Sequence, residues 1–159
     1  VSLVVLTGCA GMSAEEKVAV QEAQLKALIA QADDWGGEIV AQIPVSEVEE
    51  IYPNMGCSRG AGDDYEQWPR YYYWFQGVDL LPDGPRSPTA VADDLEPWLQ
   101  RQGWQRNEEA EFPAGQESFE RDYFRDGYHL IVEVYTEEPP MAQAINFKIV
   151  TPQTDPDSP

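Results

Sequence analysis

"RYYYWFQGVDLL", residues 70–81, is the stretch that decides the fold. It is rich in aromatic residues and runs unbroken to the turn formers PDGPRSP at 82–88, so it predicts a strand. Alternation places Tyr72, Trp74, Val78 and Leu80 on one side and Tyr71, Tyr73, Phe75 and Leu81 on the other. The first set belongs to a core. The second is a row of rings whose use depends on what packs over it.

Downstream, Ser87 followed by Pro88 starts a helix that carries Val91, Leu95, Trp98 and Leu99 and stops at Gly103. Pro97 inside it predicts a kink or an early break. Two strands, Ser118 to Arg125 and Tyr128 to Tyr135, flank Asp126-Gly127, a hairpin signal if Arg125 and Tyr128 pair. Tyr128, Leu130, Val132 and Val134 share one face of the second arm, and Ala144 to Val150 supplies a last strand with Ile145, Phe147 and Ile149.

Upstream, Ser13 and Glu16 form a capping box, after which Val18, Leu25, Leu28, Ile29 and Ala32 fall on one helical face. Gly36-Gly37 reads as the stop of that helix. Glu38 to Ile43 is a short apolar segment of open type ended by Pro44, Val45 to Tyr52 is an edge strand, and PNMGCSRGAGDD at 53–64 is a loop. This order predicts an α+β domain, an antiparallel sheet of about four to five strands with two helices packed on one face.

Charge narrows the partners. With 10 Lys and Arg against 29 Asp and Glu, the formal net charge is -19, which argues against nucleic acid and anionic headgroups as electrostatic partners. The 42% hydrophobic and 11% aromatic content is too apolar for a disordered acidic chain.

The first residues carry a different message. The apolar run from Val1 to Leu6 is far shorter than the ~20 residues a spanning helix needs, and it closes on small residues as a signal-peptide core does. Leu6-Thr7-Gly8-Cys9 then resembles the bacterial lipobox, whose Cys receives a diacylglycerol thioether and becomes the mature N-terminus. Two acyl chains hold a protein on a membrane where one is marginal. The chain thus divides into a cleaved signal-peptide remnant (1–8), a lipidated tether (9–12), one α+β domain (13–151) and a disordered tail (152–159). Translation from Met12 would instead leave Cys9 out. If Cys9 is acylated, Cys57 is the odd thiol, read as partly buried and inert because no His or Lys stands near it in sequence.

The lipobox, a leading helix ending near AQIP (41–44), the single Cys57 followed by YEQWP (65–69), a second helix ending QGW (102–104) and a hairpin with a final strand together resemble a group of small cell-envelope lipoproteins of actinobacteria, most of them uncharacterised. The resemblance implies an exported protein anchored to the outer face of the cytoplasmic membrane, and it carries no reaction. Some members of that kind have a second Cys near the C-terminus; IVTPQT (149–154) has none.

Chemistry is sparse. His129 is the only histidine, with Glu133 on its side of the strand beside Ile131 and Tyr135, a pair that could orient a general base. There is no G-x-S-x-G, P-loop or G-x-G-x-x-G, no Cys/His set at zinc spacing, and nothing that calls for a cofactor. The candidate binding residues are Tyr71, Tyr73 and Phe75, joined by Tyr135 on the face that helices leave bare, where rings stack on sugars or on apolar partner residues. The favoured reading is a non-catalytic, membrane-tethered module that binds an envelope glycan or protein. The alternative is a small exported hydrolase using clustered carboxylates or His129.

Overall fold

Strand β3 (Tyr71–Leu80) runs through the structure as the long strand of an antiparallel sheet, with β7 (Gln143–Val150) along one edge and two short strands, β1 (Val48–Ile51) and β2 (Cys57–Arg59), along the other. Beyond β7 follow β6 (Tyr128–Tyr135), β5 (Ser118–Arg125) and β4 (Gln105–Arg106), giving the order β1-β3-β7-β6-β5-β4 with β2 also on β3. The computed structural model describes residues 11–60, 62, 66–111, 118–136 and 143–158. Cys9 and the rest of the expected signal remnant lie outside the described residues.

Two helices, α1 (Ala14–Val40) and α2 (Pro88–Arg101), cover one face: α1 packs on β3 and β7, α2 on β6 and β7. The strand alternation feeds this layer. Tyr72, Trp74, Val78 and Leu80 are buried with Ile145, Phe147 and Ile149 and with Leu130, Val132 and Val134. The helices add Leu25, Ala32, Ile39, Val91, Leu95 and Leu99. The expected class therefore holds, as an α+β fold with an antiparallel sheet and helices on one face. The sheet has seven strands rather than four to five, because β2 and β4 span three and two residues and leave no periodicity to read.

Several local expectations hold. Ser13 and Glu16 form the capping box at α1, the serine hydroxyl accepting from the Glu16 amide and the glutamate from the Ser13 amide. Ser87 caps α2 with Pro88 in its first turn. In the hairpin, Arg125 pairs with Tyr128, and Asp126 and Gly127 take φ of 50° and 80°, the left-handed pair that a two-residue turn demands.

Others are corrected. Gly36-Gly37 does not stop α1, which continues to Val40; residue 36 is a glycine because the Trp74 indole occupies the space of a side chain there. Glu38 to Val40 is thus the last turn of a helix. Val45–Glu47 forms a 3-10 turn before the edge strand β1, and β2 lies inside the expected loop at 53–64. Pro97 does not end α2, which runs through it to Arg101; Pro97 and Asp93, the residue whose carbonyl loses an amide partner to the proline, are both exposed. Nor do residues 152–158 float free. The Thr154 amide donates to the Arg70 carbonyl, its hydroxyl accepts from the Arg70 amide and donates to Gln21, and Gln24 binds the backbone of Asp155 and Ser158. Buried Gln21 and Thr154 each need a partner inside the fold, and they find one another, so the domain extends past residue 151.

Candidate functional site

The face of the sheet turned away from both helices is laid out by register in four rows. Tyr73, Val150, His129 and Phe124 form the first; Phe75, Lys148, Ile131 and Asp122 the second. Gly77, Asn146, Glu133 and Glu120 form the third, and Asp79, Ala144, Tyr135 and Ser118 the fourth. Side chains along a strand alternate, so every residue in these rows projects to the same face.

Charge gathers in the middle of that face. The Lys148 ammonium bonds to Glu133, which is itself 7% exposed, and Glu120 stands directly opposite Glu133 on the neighbouring strand. Burial and then the Glu133 carboxylate raise the Glu120 carboxyl above its ordinary value, since two like charges on opposed strands oppose each other's ionisation. Burial on its own would lower the Lys148 ammonium, but its bond to Glu133 raises it. Tyr73 and Tyr135 close over this group from different rows. Burial raises both phenols, and both feel the charges of Lys148 and Glu133.

The ring row therefore reaches the helix-free face as expected, and Tyr73, Phe75 and Tyr135 surround the Lys148–Glu133 pair. Tyr71 does not join them: it pairs with Arg59 of β2, one step beyond Tyr73 and far from Tyr135. The rings are neither fully open nor sealed. Tyr71, Tyr73 and Phe75 are half-buried, and Tyr135 is exposed.

His129 is paired differently from the sequence expectation. Its Nε2 lies 2.5 Å from Asp122 Oδ1, and its ring stacks on Phe124 with centroids 4.3 Å apart. Glu133, four residues along the same strand, is about 13 Å away at strand rise, so cross-strand neighbours capture both residues first. Asp122 is buried, and its second carboxylate oxygen has no hydrogen-bond partner among the described residues. Cys57, read as partly buried, is an exposed free thiol, because β2 is an edge strand.

Sequence reasoning missed Lys148, Glu120 and Asp122. The hairpin turn held the signal for two of them: counting back from Arg125 opposite Tyr128 puts Glu120 opposite Glu133 and Asp122 opposite Ile131. Lys148 needs the register between β6 and β7, which no turn signal sets.

Among the described residues no group of His, Cys, Asp and Glu is placed to hold a metal ion. Clefts among the described residues also open elsewhere. One of about 190 Å³ lies between the end of α1 and α2, and a shallower one of about 480 Å³ lies between α1 and residues 153–158; no residue of the four rows lines either. Compared with family models, curated proteins and solved structures, the chain matches none.

Proposed function

We propose that this chain is an exported lipoprotein, acylated on Cys9 and held at the outer face of the cytoplasmic membrane, whose domain is a non-catalytic module binding a neutral envelope glycan on the helix-free face of its sheet. The observation that carries the binding half is the ring of Tyr73, Phe75 and Tyr135 about the Lys148–Glu133 pair. Aromatic faces stack on the apolar side of a sugar, while carboxylate, ammonium and the Asn146 amide exchange hydrogen bonds with its hydroxyls. A polyanion is disfavoured by a net charge of -19.

The hydrolytic reading fits the carboxylates less well. Glu120 and Glu133 stand directly opposite each other on neighbouring strands, and Glu133 raises the Glu120 carboxyl. Glycosidases hold their two carboxyl groups about 5 Å or more apart, across a cleft that admits the sugar. The tether rests on the lipobox alone, and no helix among the described residues is long and apolar enough to cross a membrane.

Two experiments test the halves separately. Fatty-acid labelling and fractionation of the full-length protein beside Cys9→Ser should show label and membrane retention in the first and neither in the second; label that persists in the variant overturns the tether. Affinity electrophoresis through neutral polysaccharides should retard the folded domain and not the Tyr73→Ala/Phe75→Ala variant. Equal mobility of the two in every polysaccharide overturns the glycan reading.

A further inference from the structure

The cleft between α1 and α2 lies on the helical side of the molecule, independent of the sheet face. Its floor is apolar: Ile43 follows the end of α1, and Val91, Leu95 and Trp98 recur along one stripe of α2. Gln42 and Asp94 line it as well, and two arginines, Arg86 and Arg101, stand at its polar rim. They differ in one respect. Arg86 is held by Glu47 and Asp94, each at 2.8 Å, so its charge is compensated.

Arg101, one turn beyond Trp98, has no carboxylate partner among the described residues, although acidic residues outnumber basic ones 29 to 10. It is also not needed at the end of its helix, where the last carbonyls of α2 already accept from the amides of Gln102, Gly103 and Trp104. A guanidinium without a carboxylate partner among the described residues, beside a hollow walled by Trp98, Leu95 and Ile43, is a fork for a carboxylate whose apolar body rests on those side chains. The size agrees. A cavity of about 150 Å³ accepts benzene, so about 190 Å³ accommodates a benzene-sized body with a carboxyl group at its edge.

We infer that this cleft binds a small apolar monocarboxylate, its body on Ile43, Leu95 and Trp98 and its carboxylate on Arg101. A free arylalkanoic acid and the C-terminal residue of a peptide share this chemistry. Titration of the full domain with phenylacetate, followed by amide and indole NMR shifts, should give saturable changes centred on Trp98, Ile43 and Leu95. Phenylacetamide, which lacks the charge, should bind at least about tenfold more weakly, and Arg101→Gln should weaken phenylacetate by a similar factor. Arg101 is exposed, so the variant keeps its fold, and Arg101→Lys should recover part of the affinity. Tighter binding of a short peptide ending in phenylalanine than of phenylacetate assigns the source to a protein C-terminus, and the reverse assigns it to a free acid. No saturable shift with any of these probes, or affinity for phenylacetate that Arg101→Gln leaves unchanged, overturns the site.

Discussion

Gly36 of α1 meets the Trp74 indole so closely that a Cβ on residue 36 would stand 2.2 Å from the ring's Cζ2. The indole is 2% exposed and has nowhere to retreat. Gly36→Ala should therefore lose about 2 kcal/mol by overpacking, beyond the fraction of a kilocalorie that alanine returns as a better helix former. Gly37, where a Cβ would meet nothing within 4 Å, is the contrast. Gly37→Ala should gain roughly 0.5–1 kcal/mol. Urea unfolding of the two variants checks both signs, and equal effects would mean that the indole contact is not what selects glycine at 36.

The Glu120–Glu133 contact predicts a pH signature. Burial and Glu133 raise the Glu120 carboxyl from its ordinary 4.5, so the folded protein holds a proton there that the unfolded chain has released. Stability contributed by this group is thus complete at low pH and falls as pH rises through the window above 4.5. Glu120→Gln should be more stable than the parent at pH 7, with the difference shrinking on acidification toward pH 4. Chemical unfolding of both proteins at the two pH values checks it; a difference that does not vary with pH would refute the opposition of the two carboxylates.

Lys148 and Glu133 should behave as a coupled pair. Their side chains are 20% and 9% exposed, so removing one partner strands the other's charge in a poorly hydrated place. Lys148→Met should cost about 2–3 kcal/mol, somewhat under the loss for a fully buried pair. Adding Glu133→Gln should recover part of it, and a double-mutant cycle measures how much.

Thr154 is the hinge pin of the C-terminal segment. It is 4% exposed and serves Arg70 and Gln21 at once. Thr154→Val keeps the shape and removes both hydrogen bonds, at an expected cost of about 1–3 kcal/mol. Hydrogen exchange at the Arg70 amide should accelerate in the variant, while exchange at the centre of β6 follows only the global loss.

Strong local rules make part of the fold legible in the sequence. The alternation of Tyr72 to Leu80, the Ser13 and Ser87 caps and the Asp126-Gly127 turn are each determined within a few residues, and they account for both helices and the strands of the hairpin and β3. Gly36 misleads because a glycine that ends a helix and one that makes room for a tryptophan look alike in sequence. The site is legible only by half. Alternation puts Tyr73 and Phe75 on the bare face, but Lys148 meets Glu133 through a pairing of strands that only the folded sheet defines. Tyr71 falls outside the group for the same reason: a face is common to a whole strand, whereas neighbours are set by rows.

The fastening of residues 154–157 to α1 governs the order in which the molecule can close. Thr154 reaches Gln21 across 133 residues of sequence and Asp157 reaches Lys17 across 140. β3 likewise waits for β7, whose partners to it run from residue 143 to 150. Contacts this distant close slowly. Residues 143–157 therefore complete both the centre of the sheet and the fastening of α1, so a fragment ending before β7 would lack the partner of β3 and the clasp on Gln21 at once.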